Sequence, residues 1–252
     1  MARSDGNAAK YVYGVVRAAD GSPPKGRGIN GEPVALVTLE GLAALTSDVL
    51  DEVLEAGRDE LLTHSRVLER ALEGGAVLPM RFGVVMPSAE SVRDELLGAH
   101  RGELEAQLDE MEGKVEINIK GIYDEEAILR EVLEGNPDIA ELRHSIHGKP
   151  EEATYYERIR LGELVAEALT GKSQQDEREI VDRLLACALQ VEVGQAVHER
   201  MAVNASFLVE RDRLEQFDRA VDQLGEEQAD RLRLKSTGPL PPHSFVELGM
   251  EG

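Results

Sequence analysis

Four short stretches of this chain carry residue types that do chemistry elsewhere. Gly26, Gly28 and Gly31 match the spacing G-x-G-x-x-G, which cradles a pyrophosphate only when a strand leads in and a helix N-terminus follows. Here Ser22-Pro23-Pro24 precedes the glycines and the strand-like Pro33-Val34-Ala35-Leu36-Val37 follows, so the stretch reads as a loop. Thr170-Gly171-Lys172-Ser173 imitates the end of a phosphate-binding loop, but Ala166 stands where that motif needs glycine and a helical pattern leads into it. His144 and His147 have a spacing that can share a metal. No cysteine is near them, and Asp138, Glu141, Glu151 and Glu152 belong to a generally acidic surface. Asn204-Ala205-Ser206 is a formal glycosylation sequon inside a predicted strand.

Other reactive side chains are dispersed. His64, His100, His198 and His243 are scattered, and no serine or cysteine nucleophile setting adjoins them. Cys187 sits in LLACALQ, an apolar helical face, and reads as a small buried hydrophobe. Arg81 lies between apolar neighbours on a predicted strand; an ion pair within its own domain is the plain expectation, a recognition charge at a partner surface the sharper one. No catalytic, cofactor-binding or metal-binding residue is assigned, and no enzyme activity is expected.

The totals narrow the classes further. Among 252 residues, 49 are acidic and 28 basic, giving a formal charge of −21, which argues against nucleic acid and anionic lipid as partners. Hydrophobic residues make up 42% and tryptophan is absent, so the cores are aliphatic. A single cysteine fits a reducing compartment, the N-terminal segment lacks an apolar signal region, and no apolar run is long enough to span a bilayer. The expectation is a cytoplasmic, soluble protein.

The elements that position these residues follow from periodicity. Residues 1–9 are polar and expected to fray. Strands are predicted over 11–17, 34–39, 76–85, 114–123 and 203–209, with a turn or strand at 40–48. A helix over 58–73 places Leu61, Leu68 and Leu72 on one face. Ser88 is the candidate N-cap of a longer helix whose stripe is Val92, Leu96, Leu104, Leu108 and Met111. Asp124 caps the next helix. Residues 135–150 read as a polar loop holding a short helix near 139–144. Helices over 151–169, with Tyr155, Ile159 and Val165 toward the core, and over 177–189 are separated by a break at 171–176. Asp212 and Glu215 form a candidate capping box for a helix carrying Leu214, Phe217, Val221 and Leu224. After a short strand from Leu232, the residues Gly238, Pro239, Pro241 and Pro242 argue against helix and central-sheet pairing, and 244–248 returns to an extended pattern. From residue 114 the order approaches βαββαβ. The expected class is α+β in two domains, 1–113 and 114–252, each a modified ferredoxin-like mix of antiparallel strands and helices.

Residues 11–16 (YVYGVV), 77–85 (VLPMRFGVV), 204–211 (NASFLVER) with Phe217, and 238–246 (GPLPPHSFV) together resemble the gas vesicle accessory proteins of the F/L type, the GvpF/GvpL family. They occur in the family's order from about Tyr11 to Leu248. His243 departs from the pattern, since the family usually has tyrosine there. The resemblance implies two α+β domains, no enzyme activity, and a place in gas vesicle assembly as an accessory or minor structural protein. It also implies contact with the small hydrophobic shell protein, to help nucleate it or prevent its aggregation, and with other gas vesicle accessory proteins. A soluble acidic chain could do this by offering an apolar face or an open sheet edge, near Pro79 or beside Pro239 to Pro242. The alternative is a small-molecule-binding regulatory module built on ferredoxin-like domains.

Overall fold

The computed structural model describes residues 8–18, 23–49 and 57–247. Most of the stretch expected to fray at the N-terminus, Ser22 in the loop before the glycines, and Leu248 lie outside them. The chain forms two compact units, one from residues 1–116 together with 239–252, the other from 117–238. The expected boundary near 112–114 lies close to the first junction; the second junction, at 238/239, has no counterpart in the expectation.

The first unit is built on strands β1 (Ala9–Arg17), β2 (Ala35–Leu39), β3 (Leu42–Val49) and β4 (Val77–Pro79), with β5 (Val85–Met86) also paired to β1. Sheet order is β2-β3-β1-β4. The uncertain stretch at 40–48 proves to be β3, joined to β2 by the two-residue turn Glu40-Gly41, both at positive φ (43° and 95°), as a hairpin's right-handed twist demands. β1 pairs antiparallel with β3, and its register slips between Val12 and Gly14, leaving Tyr13 as the extra residue of a bulge. The predicted strand over 76–85 is therefore two short ones. Between the pairs Gly14–Pro79 and Tyr11–Val85, β1 advances three residues and its partner six, and the surplus forms a turn through Arg81, Phe82 and Gly83. Pro79 sits on the edge strand β4, where its missing N–H costs no ladder bond.

Helices cover this sheet. α1 (Arg58–Leu72) buries His64, Val67, Leu68 and Leu72; Leu61, expected on that face, is exposed. Ser88 caps α2 (Ala89–Ser91) by accepting from the Ser91 N–H at 3.1 Å. A π-helical turn, Val92–Gly98, leads toward α3 (Arg101–Met111). All five predicted stripe residues are buried, and the widened turn brings Leu97 in beside Leu96.

The second unit repeats the strand order. β6 (Lys114–Tyr123), β7 (Gln190–Val193), β8 (Met201–Glu210) and β9 (Leu232–Leu240) lie as β7-β8-β6-β9. Counted along each unit, both sheets run second, third, first, fourth. Three helices connect β6 to β7: α4 (Glu125–Gly135), α5 (Pro137–Ile146) and α6 (Tyr155–Leu185); α7 (Leu214–Glu227) connects β8 to β9. The element order is βαββαβ with an enlarged first crossover, and the α+β class is observed. Asp124 caps α4, accepting from the Ala127 N–H at 3.0 Å.

Several local expectations are corrected. The break at 171–176 does not occur: α6 runs 31 residues straight through Gly171. Tyr155 and Ile159 are exposed and Val165 only half-buried. Asp212 caps nothing; a 3-10 turn over Arg211–Arg213 precedes α7, whose capping residue Arg213 makes no side-chain cap bond. β9 continues through Gly238 and Pro239, because an edge strand tolerates a residue without an N–H. Residues 244–247 form a turn and irregular chain instead of a strand.

Candidate partner-binding face

The motif glycines and polar residues have structural duties. Gly28 lies against the β1 bulge, where an added Cβ would stand 2.2 Å from the Tyr13 hydroxyl and 2.3 Å from Ser47 Oγ. Tyr13 accepts the Ile29 N–H at 2.7 Å and donates to Ser47 Oγ at 3.0 Å, pinning the loop to the sheet. A 3-10 turn, Ile29–Gly31, and then β2 follow, with no helix N-terminus. Thr170 to Ser173 lie within α6. His144 is in the last turn of α5 and His147 is its cap; among the described residues no group of three or more histidine, cysteine or acidic side chains is placed to hold a metal. Asn204 in β8 donates to the Gln195 carbonyl at 3.1 Å. Cys187 is half-buried, with Gln216 3.7 Å from its sulfur. Arg81 is exposed on its turn and pairs with no carboxylate among the described residues.

Two buried polar centres went unread in the sequence. In the first unit, the Tyr11 hydroxyl meets His64 Nδ1 at 2.7 Å and takes the Gly83 N–H at 3.3 Å, while His64 Nε2 faces the Met80 carbonyl at 3.2 Å. Rings of Tyr11, Tyr13, His64 and Phe82 pack edge-to-face or tilted, with centroids 4.8–5.9 Å apart. Burial lowers the His64 pKa to about 4, and the nearby His243 ring acts in the same direction. The imidazole is therefore neutral, and each nitrogen has one partner. In the second unit, Asp176 of α6 accepts from the Tyr123 hydroxyl at 2.5 Å, Arg231 at 2.6 Å and Lys172 at 2.8 Å. Arg231 also grips Glu131 of α4 at 2.7 and 3.0 Å. Burial pushes the Asp176 carboxyl up, but hydrogen bonds from Arg231, Lys172 and Tyr123 outweigh it and hold the pKa below its ordinary value. Both centres are hydrogen-bonded internally, between elements of their own unit.

Exposed apolar surface collects on the enlarged crossover of the second unit. One stripe of α6 carries Leu161, Val165, Leu169, Asp176, Ile180 and Leu184. Asp176, Ile180 and Leu184 are buried, whereas Leu161, Val165 and Leu169 are only half-buried. Across from them stand Leu129 and Leu133 of α4, also half-buried, beside the fully buried Ile128 and Val132. A groove of about 480 Å³ lies between these side chains, with Arg130 of α4 and Arg143 of α5 on its lining. Val165 and Leu169 also face a second cleft of about 810 Å³, closed on its far side by residues 196–199 and Met201. Tyr155, Tyr156 and Ile159 at the start of α6 are 58%, 81% and 45% exposed, and Val197 is 75% exposed. Val197 belongs to the β7–β8 connection and the other three to the crossover, and open aliphatic and aromatic surface of this kind is the candidate contact face. Of the sheet edges expected to be open, β4 is wholly buried, while Lys235 to Pro239 on β9 are exposed. The groove escaped notice because its leucines carry the same spacing as ordinary core positions.

A family model described as gas vesicle synthesis protein GvpL/GvpF matches residues 9–247. Gas vesicle protein F of Streptomyces sp. (strain CB03234) is 40% identical over 241 residues, covering 94% of this chain and 99% of that protein. Gas vesicle protein L of the same strain is 28% identical over 265 residues, covering 96% and 94% respectively. The crystal structure of the gas vesicle protein GvpF from Anabaena sp. PCC7120 superimposes with a TM-score of 0.81 at 26% identity, covering 96% of this chain and all of that one.

Proposed function

Because this chain belongs to the gas vesicle synthesis protein GvpL/GvpF family, and its role is therefore gas-vesicle related, we propose that it acts there by contact, as an F-type accessory or minor structural protein that covers apolar surface of the shell subunit during assembly. The single observation behind this reading is the half-open aliphatic face of α4 and α6 on a chain of net charge −21. A wall-forming subunit has to expose apolar surface before it assembles. A partner with a matching apolar face and a strongly charged exterior keeps such a subunit dispersed. The F-type assignment follows the greater identity to the F protein than to the L protein of one Streptomyces strain. Catalysis has no part in it: the buried centres hold scaffold together. No helix among the described residues is long and apolar enough to cross a membrane, in keeping with a cytoplasmic protein at the vesicle.

Co-expression with the shell subunit tests the reading. The subunit is expected to shift into the soluble fraction and to co-purify with this chain. If it stays equally insoluble and nothing co-purifies, the reading fails.

A further inference from the structure

We propose that the groove between α4 and α6 is a docking site for one amphipathic helix of another polypeptide, with an aliphatic stripe at i, i+4 spacing flanked by carboxylates. The inference rests on the reading of this chain as an interaction protein and adds what its partner segment looks like. Three observations carry it. Leu129–Leu133 and Leu161–Val165 form two facing ladders at one-turn spacing, the shape that takes a helix between them. The α6 stripe that is buried from Asp176 onward is left half-covered over Leu161 to Leu169, so one layer is missing there. The third observation is charge: Arg130 and Arg143 are exposed beside the leucines and form no ion pair or hydrogen bond among the described residues, with Glu126 the one carboxylate on the lining. A helix seated on the ladders would bring its flanking carboxylates to these two guanidinium groups, which bind carboxylate in a planar fork.

The whole-chain charge makes this testable. A chain at −21 attracts a basic peptide and repels an acidic one through its general field, but that field is screened within about 8 Å at physiological salt. A preference for the acidic peptide then comes from local contacts alone. Two synthetic amphipathic helices would be titrated against the full chain by fluorescence anisotropy: one with a leucine stripe flanked by glutamates, the other with lysines in place of the glutamates. The acidic peptide is expected to bind saturably and about tenfold more tightly, the size of two rim ion pairs. The double variant Arg130→Glu/Arg143→Glu should invert that order. Leu133→Gln/Leu161→Gln should abolish binding of both peptides, with unchanged circular dichroism. Preference of the wild type for the basic peptide would overturn the proposal. So would acidic-peptide binding that survives both double variants, or a wild-type dimer that the charge reversal splits, since the groove would then be filled by a second copy. The titration uses no shell subunit, so its failure is separate from that of the co-expression experiment.

Discussion

The two units share one strand order and differ in what fills the first crossover. In the first unit, β1 reaches β2 through a loop tied to the sheet by Tyr13 and Ser47. In the second, β6 reaches β7 through α4, α5 and α6. Their centres differ in kind as well. The first is a neutral web of tyrosine, histidine and backbone carbonyls; the second is ionic, with Asp176, Arg231, Glu131 and Lys172. Among the described residues the compact crossover buries Ile29 and Val34, while the enlarged one leaves Tyr155, Tyr156 and Ile159 exposed. The first unit's exposed large hydrophobics are Leu61 and Leu62 of α1; in the reading proposed above, the second unit's face is the one that meets a partner.

The sharpest break in that comparison comes from Arg231→Met. It leaves the Asp176 carboxylate, whose side chain is 5% exposed, without its guanidinium. A loss of about 3–5 kcal/mol is expected, as for a buried pair robbed of one member. Hydrogen exchange should quicken in β6 and β8 while β1 amides keep their protection.

Acid should do the reverse. The folded His64 has a pKa of about 4 against an ordinary 6.5, lowered by burial. The unfolded chain therefore binds the proton first, and stability is whole above pH 6.5 and falls as pH drops toward 4, by about 3 kcal/mol. Asp176 has a lowered pKa, so its contribution is lost only as pH falls through that lower value. Between pH 6.5 and 4, protection factors, taken against the slower intrinsic exchange in acid, should fall in β1 first; an equal fall in both units would contradict the neutral–ionic distinction.

Each unit's first strand carries a glycine at a close approach. An alanine Cβ at Gly14 would lie 2.6 Å from the Leu78 carbonyl oxygen, which is backbone, and Gly14→Ala should cost about 1–3 kcal/mol by overpacking. At Gly121 the nearest atom is Val203 Cγ1 at 2.8 Å, followed by side-chain atoms of Leu232 and Leu234. These can shift, so Gly121→Ala should cost less in urea denaturation. The smallest effect, and the control, is capping. Ser88→Ala and Asp124→Ala each remove one N-cap bond and should cost about 1 kcal/mol alike.

Much of the frame was legible from local pattern. Val115, Ile117 and Ile119 alternate and are buried in β6, and the stripe from Val92 to Met111 was readable residue by residue. What failed depended on partners distant in sequence. Gly171 to Asp176 looks like a break because glycine, serine and glutamine dominate it, yet the helix is held there by Arg231, 55 residues beyond Asp176. Glu116 alternates with Val115 and Ile117 as a solvent-facing residue would, but it is buried at 5% exposure because Ser244 caps it. Gly238 and Pro239 argued against central pairing, and only the sheet order shows that β9 is an edge. The groove was illegible for a related reason: Leu129 and Leu161 have core spacing, and whether anything covers them is decided in three dimensions.

The Glu116 contact has a consequence in time. Its carboxylate accepts from the Ser244 backbone N–H at 2.8 Å and hydroxyl at 2.9 Å, across a sequence separation of 128. A ribosome adding about 5–20 residues per second releases Glu116 on the order of ten seconds before its donors exist. The unit made first is thus the one completed last, and a truncated transcript or stalled ribosome would leave it unfinished however well the inserted unit had folded.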